Sequence, residues 1–159
     1  MAIKIGDKLP SVTLEYFTSE GSKQVTTDNL FSGKKVVLFA IPHALTADSS
    51  RQTWLGYVEK AQEFRSKGID EIACVAVHDA AVFPTWVSDQ VNEGKVTMLA
   101  DGNGDFGRAF GLAPGPVRPW MGYSVLVENE VVTILDLDPR TDSTRMMMYL
   151  EGNPKGGKG

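Results

Sequence analysis

The residues whose types and spacing best suit chemistry are Pro42, Thr46 and Ser49, which follow the apolar run 36–41. A strand followed by a helix start surrounds the first helical residues with backbone N–H groups and the positive end of the helix dipole. A thiol placed there ionises near neutral pH, whereas a serine hydroxyl stays protonated and needs a base to become a nucleophile. Ser49 therefore has two interpretations, a polar residue at a helix start or a base-dependent nucleophile.

The base nearest in sequence is His43, six residues before Ser49. A Ser49/His43 hydrolase would need the imidazole within hydrogen-bond reach of the hydroxyl and an acid to orient it. The Gly-x-Ser-x-Gly elbow of many hydrolases does not surround Ser49. A hydrolase therefore stays open as an alternative with little support from the motif.

Cys74 is the single cysteine of the chain, so an intramolecular disulfide is impossible. It lies within an apolar segment that predicts a strand, and such a thiol is usually buried and structural. A zinc site made of Cys74, His43 and His78 lacks the usual close spacing of ligands. No metal and no cofactor are expected.

The composition predicts one globular domain without a nucleic-acid or membrane partner. The 159 residues are 42% hydrophobic and carry a net charge of −4, without a dense Lys/Arg cluster. The domain is expected to span residues 1–151, followed by a Gly/Lys-rich disordered tail at 152–159. The first residues lack the apolar core of a signal peptide, which favours the cytoplasm, or an organelle if a transit peptide was removed.

The spacing of apolar residues, together with the residues that begin or end helices and form turns, predicts an α/β fold. Asp48 or Ser49 is predicted to cap the first long helix, Gly68 to end it, and Gly21-Ser22 to form a turn. The predicted strands are 12–16, 24–27, 36–41, 71–77, 96–100, 123–127 and 131–135, and the predicted helices are 49–66, 80–92, 105–110 and 141–150. Helices between buried strands imply parallel crossovers, and the last two strands form a hairpin. We therefore expect a mixed central sheet with helices on both faces.

These residues resemble the type II (fifth-class, atypical two-cysteine) peroxiredoxins, which have a thioredoxin-like fold. The family motif Pro-x-x-x-Thr-x-x-Cys is matched by Pro42, Thr46 and, in place of the cysteine, Ser49. Further matches at 4–10, 30–39, 74–80 and 99–106 extend the resemblance over nearly the whole chain.

The resemblance implies the roles of the site residues. Pro42 and Thr46 would shape a peroxide pocket, Ser49 would occupy the position of the peroxidatic cysteine, and Cys74 that of the resolving cysteine. The arginine that supports the thiolate in the family falls on Gly122, and Arg118, four residues earlier, is the candidate substitute.

The resemblance also implies partners and a family activity, the thiol-dependent reduction of hydroperoxides. A homodimer is expected, and an active protein would use a hydroperoxide together with thioredoxin, glutaredoxin or glutathione. Ser49 and Gly122 favour the hypothesis of a homologue without peroxidase activity, retained as a binding or regulatory protein. The alternatives are an active peroxidase carrying a Cys→Ser change at position 49, and the Ser49/His43 hydrolase.

Overall fold

The computed structural model describes residues 4–9, 11–18, 21–40, 48–76, 96–100, 123–136 and 143–152. The strands and helices within these ranges are β1 Thr13–Thr18, β2 Gly21–Thr26, α1 Thr27–Phe31, β3 Lys35–Ala40, α2 Asp48–Glu59, α3 Ala61–Ser66, β4 Glu71–Ala76, β5 Thr97–Ala100, β6 Tyr123–Glu128, β7 Val131–Asp136 and α4 Ser143–Leu150. The predicted helices at 80–92 and 105–110 and the predicted tail from 153 onward lie outside the described residues.

The strands form one mixed sheet in the order β2-β1-β5-β4-β3-β6-β7. The three strands β3, β4 and β5 run parallel, and the remaining pairs are antiparallel. β3 lies between β4 and β6, and its central residues are almost completely buried. The continuous apolar run thus forms a strand covered on both faces, as predicted.

The alternation of side chains along β3 divides the core into two layers. Val37 and Phe39 pack on the face that carries α2, α3 and α4. Val36 and Leu38 pack on the opposite face with residues of α1 such as Phe31. Helices therefore lie on both faces of the mixed sheet, which confirms the predicted fold class.

The predicted helix 49–66 is wrong in one respect, because it is two helices that meet at Lys60. The ψ angle of Lys60 is 6°, well away from the helical value of about −42°. The regular helix is therefore interrupted at this residue, between α2 and α3. The predicted end at Gly68 is confirmed. Gly68 has φ +94°, and the Ile69 N–H donates to the Phe64 carbonyl at 3.2 Å, which closes the last turn.

Two local predictions were also wrong by one or two residues. α2 already includes Asp48 and Ser49, so neither of them is the capping residue that precedes the helix. Gly21 and Ser22 belong to β2, and Thr18 pairs directly with Gly21, so these two residues do not form the turn. The hydrophobic pattern locates an element better than it locates the element's ends.

Two further features complete the sheet. One is the turn between β6 and β7, and the other is a segment that lies along the outer edge of β7. The hairpin between β6 and β7 turns at Asn129 and Glu130, both with positive φ, as a type I′ turn requires. The segment 6–9 runs beside β7, where the Gly6 N–H donates to the Val132 carbonyl at 2.8 Å. Among the helices of the described ranges, none is long and apolar enough to cross a membrane.

Candidate functional site

Ser49 is the second residue of α2, a helix of 12 residues that follows the end of β3. Backbone N–H groups of a first helical turn have no partner within the helix and attract negative charge. The structure therefore places Ser49 at a position that suits an anionic group. Pro42, His43, Thr46, Arg118 and Gly122 lie outside the described residues, so their places relative to Ser49 are not part of the structure.

The C-terminal part of α2 is attached to the sheet through Tyr57. The Tyr57 ring stacks on Phe39 of β3, with ring centroids 4.0 Å apart and planes 9° from parallel. The hydroxyls of Tyr57 and Ser124 of β6 share a buried hydrogen bond of 3.0 Å. Phe39 and Ser124 are direct partners in the β3–β6 pairing, so the three side chains meet at one point of the sheet.

Asp136 of β7 lies beside Ser124 in the sheet and connects β7 to α4. Asp136 is the register partner of Ser124, and its side chain is only 1% exposed. The Arg145 guanidinium donates to both oxygens of that carboxylate, through Nε at 3.0 Å and Nη2 at 3.2 Å. Burial, followed by the negative charge of Asp136, raises the pKa of Tyr149. A bidentate pair of this kind joins α4 firmly to the end of β7.

α4 also touches α2 directly, at Gly56. A Cβ atom added at Gly56 would lie 2.8 Å from the Oγ of Ser143, which is shorter than any ordinary contact. Ser143 is itself buried at the start of α4. The absence of a side chain at residue 56 is therefore what lets the two helices approach, beside the Tyr57 contact.

Cys74 lies on the same face of the sheet as α2, opposite Phe39 in the β3–β4 pairing. Its side chain has no exposed surface, and burial raises the pKa of this thiol well above its usual range. The prediction of a buried thiol is confirmed. A thiol in this environment is protonated at neutral pH and is shielded from reagents in solution.

Metal-binding side chains do not cluster in the part of the chain that the structure describes. No three His, Cys, Asp or Glu residues of these ranges come together as a metal site would require. The described contacts hold the C-terminal part of α2 on the sheet, near the end of β3. Chemistry at the start of this helix depends on the side chain at residue 49.

Comparison with known proteins decides the family. The family model described as Redoxin matches residues 4–147. The chain belongs to the redoxin family. Its similarity to plant type II peroxiredoxins places it in that branch, and the resemblance predicted from the motif is confirmed.

Two curated relatives illustrate the similarity. The chain is 42% identical to "Peroxiredoxin-2E, chloroplastic" of Arabidopsis thaliana over 146 residues, which cover 86% of the chain and 62% of that protein. It is 33% identical to "Peroxiredoxin-2C" of Oryza sativa subsp. japonica over 142 residues, covering 86% of the chain and 88% of that protein. The chain thus spans less than two thirds of the length of the chloroplastic relative.

Solved structures of redoxins share the fold. Reduced Prx3 of Vibrio vulnificus in complex with H2O2 superposes with a TM-score of 0.81 at 36% identity, covering 93% of this chain and 99% of that one. Peroxiredoxin 5 of Alvinella pompejana superposes with a TM-score of 0.78 at 25% identity, covering 94% of this chain and 99% of that one. This chain therefore has the thioredoxin-like fold that its resemblance to the family implied.

Sequence reasoning missed the polar residues that seat α2. Tyr57 follows Trp54 by three residues and so falls on the apolar helix face, but its hydroxyl partner is 67 residues away in the chain. Asp136 and Arg145 are nine residues apart, and no motif in the sequence links them. A polar residue within an otherwise apolar strand, as at Ser124, was the one available signal.

Proposed function

We propose that this chain is a type II peroxiredoxin homologue that does not reduce peroxides and acts as a binding or regulatory protein. The observation that carries the proposal is the state of its single thiol. Cys74 has no exposed surface and a pKa raised by burial, while residue 49 is a serine. The folded chain therefore offers no reactive thiolate.

Peroxide reduction by a thiol protein needs a thiolate that attacks one peroxide oxygen and breaks the O–O bond, leaving a sulfenic acid and an alcohol or water. A serine hydroxyl does not form an anion near neutral pH and has no comparable sulfenic state. Gly122 at the family's arginine position points the same way, because a thiolate there would lack its supporting cation. Arg118, four residues before Gly122, could substitute for that arginine only if the loop between them is rebuilt.

The placement of residue 49 supports a second candidate, a peroxidase whose natural form has a cysteine there. Ser49 lies in the first turn of α2, where helix N–H groups lower the pKa of a thiol. In that form the thiolate at position 49 would attack the peroxide, with Thr46 and Pro42 in the pocket and Cys74 or an external thiol as the resolving group. The sequence of the source gene at codon 49 distinguishes the two candidates.

The experiment is a peroxidase assay with H2O2 and an organic hydroperoxide, supplied in turn with thioredoxin, glutaredoxin and glutathione. We expect the unchanged chain to match Ser49→Ala, its control, with no turnover above the reductant alone. Ser49→Cys, and Ser49→Cys with Gly122→Arg, should turn over peroxide if the pocket is intact. Turnover by the unchanged chain that disappears in Cys74→Ala would overturn the proposal.

Location and assembly follow the relatives and are proposals of the same kind. The similar 2E protein is named chloroplastic, so an organelle stands beside the cytoplasm as the place of action. We expect a homodimer, as the family resemblance implies. Light scattering at micromolar concentration tests the dimer, and a fluorescent fusion of the full gene product tests the location.

A further inference from the structure

The contacts that hold α2 on the sheet form a closed set between four elements, which we call the seat of α2. Tyr57 of α2 bonds Ser124 of β6, and Ser124 pairs with Asp136 of β7. Asp136 holds Arg145 of α4, and α4 returns to α2 where Ser143 meets Gly56. A closed set of this kind restricts both the translation and the tilt of α2 on the sheet.

The seat lies at one end of the sheet, near the last residues of β3 and the first residues of β6. Phe39 is the last residue but one of β3, and its partner Ser124 is the second residue of β6. Tyr57 is eight residues after Ser49, so about 12 Å of helix separates the seat from residue 49. A helix is stiff over this length, so a small tilt at Tyr57 becomes a displacement of residue 49.

Tyr57 makes two different contacts with the sheet at this point, the stack on Phe39 and the hydrogen bond to Ser124. The ring stack resists separation of the helix from the sheet but permits sliding, because stacked rings tolerate lateral offsets. The hydrogen bond depends on direction and therefore opposes sliding. The hydrogen bond between the two hydroxyls therefore favours one position of the helix along the sheet, which burial alone does not.

We propose that Tyr57 and Ser124 are positioning residues for residue 49, setting where the first turn of α2 stands relative to the end of β3. The inference rests on the proposed function only in taking residue 49 as the family's reactive position. Neither residue touches a reacting group; each acts through the helix.

The test uses Ser49→Cys as a reporter, since the ionisation and alkylation rate of a thiol there depend on the groups around it, which change when α2 moves relative to the sheet. The rate of iodoacetamide alkylation is followed from pH 5 to 9, and mass spectrometry separates the reporter thiol from that of Cys74. Two substitutions, Tyr57→Phe and Ser124→Ala, are then added to the reporter. Because they remove both polar groups together, stability should stay nearly unchanged. The matched control is Thr97→Val, which removes the 2.7 Å hydrogen bond to Glu71 at the opposite end of the sheet.

We expect the double change to alter the alkylation rate of the reporter at pH 6.5 about threefold or more, equal to a shift of about half a unit in the thiol pKa. Thr97→Val should leave the alkylation profile of the reporter unchanged. An unchanged profile in the double variant at equal stability would overturn the proposal, because the ring stack alone would then hold residue 49. Peroxide turnover by the unchanged chain is a separate measurement, so failure of the proposed function is distinguishable.

Hydrogen exchange on the chain with Ser49 retained gives a second reading if the reporter does not fold. Tyr57→Phe with Ser124→Ala should speed amide exchange in the N-terminal half of α2 and leave the amides of β5 unchanged. Equal exchange in α2 with and without the two hydroxyls would contradict the positioning role.

Discussion

Phe39 and Cys74 are direct partners on the parallel strands β3 and β4, and both point into the layer that α2 covers. The thiol therefore lies beneath the helix that carries residue 49, among apolar side chains. This relationship explains why the thiol is shielded from solvent although the strand that carries it leads toward the candidate site.

The buried thiol predicts a pH effect on stability. The pKa of Cys74 is raised in the folded chain, so the folded state keeps its proton above about pH 8.5 while the unfolded state loses it. Stability is therefore full below the unfolded pKa and falls as pH rises toward the folded pKa. Urea unfolding from pH 7 to 10 should show this decline.

Cys74→Ala is the control for that pH series, because it removes the titrating thiol. Its stability should decline less between pH 8 and 10 than that of the unchanged chain. An Ellman assay should detect no rapidly reacting thiol in the folded protein and one thiol after denaturation. A rapid reaction at pH 7 would contradict the buried, protonated thiol.

Gly56→Ala should destabilise the protein by about 1 kcal/mol, although alanine favours helices over glycine by a similar amount. The reason is the approach of the new Cβ to the Ser143 hydroxyl at 2.8 Å. In a Ser143→Ala background the clash is gone, and the same change should then stabilise the protein. Thermal unfolding of the unchanged chain and the three variants measures this reversal of sign, and destabilisation in both backgrounds would refute the explanation.

Arg145→Met should cost about 3–5 kcal/mol, because it removes the cation that compensates the buried charge of the Asp136 carboxylate. Replacing both residues, as Asp136→Leu with Arg145→Met, should cost clearly less. The exposed pair of Lys67 and Glu151, at 3.6 Å, is the matched control. Lys67→Met should change the free energy of unfolding by less than about 1 kcal/mol, and equal effects at the two sites would show that burial is not decisive.

Glu130→Gly should raise the urea midpoint of unfolding. Glu130 has φ +71°, a conformation that glycine adopts without steric strain, and a type I′ turn favours Asn-Gly. Asn129→Gly is the contrasting change, since the Asn129 Oδ1 accepts the Gly33 N–H at 2.7 Å. It should not stabilise to the same extent, and a larger gain at residue 129 would contradict the strain argument.

The order of the elements was predictable because each one has a local signature. The apolar run before Pro42 indicated a central strand, and the helical spacing of Trp54, Val58 and Phe64 indicated a helix above it. The division at Lys60 was not predictable, because the apolar face continues across it from Val58 to Ala61. A local break in backbone angles leaves no trace in a hydrophobic pattern.

The candidate site was predictable only in part. The motif located Ser49 at a helix start, and the strand pattern predicted burial of Cys74. The pairing of Tyr57 with Ser124 depends on the register between β3 and β6, which joins residues far apart in the chain. Register is set by the assembled sheet and so cannot be read from either segment alone.

The segment 6–9 beside β7 has a consequence for solubility. The Val132 N–H donates to the Asp7 carbonyl and the Leu9 N–H donates to the Glu130 carbonyl, so these backbone groups of the outermost strand are already satisfied. An unprotected strand of this kind is a template on which other chains can add and form fibrils. Deleting residues before Val12 should therefore leave the rest of the sheet intact while turning a dispersed protein into one that self-associates with time.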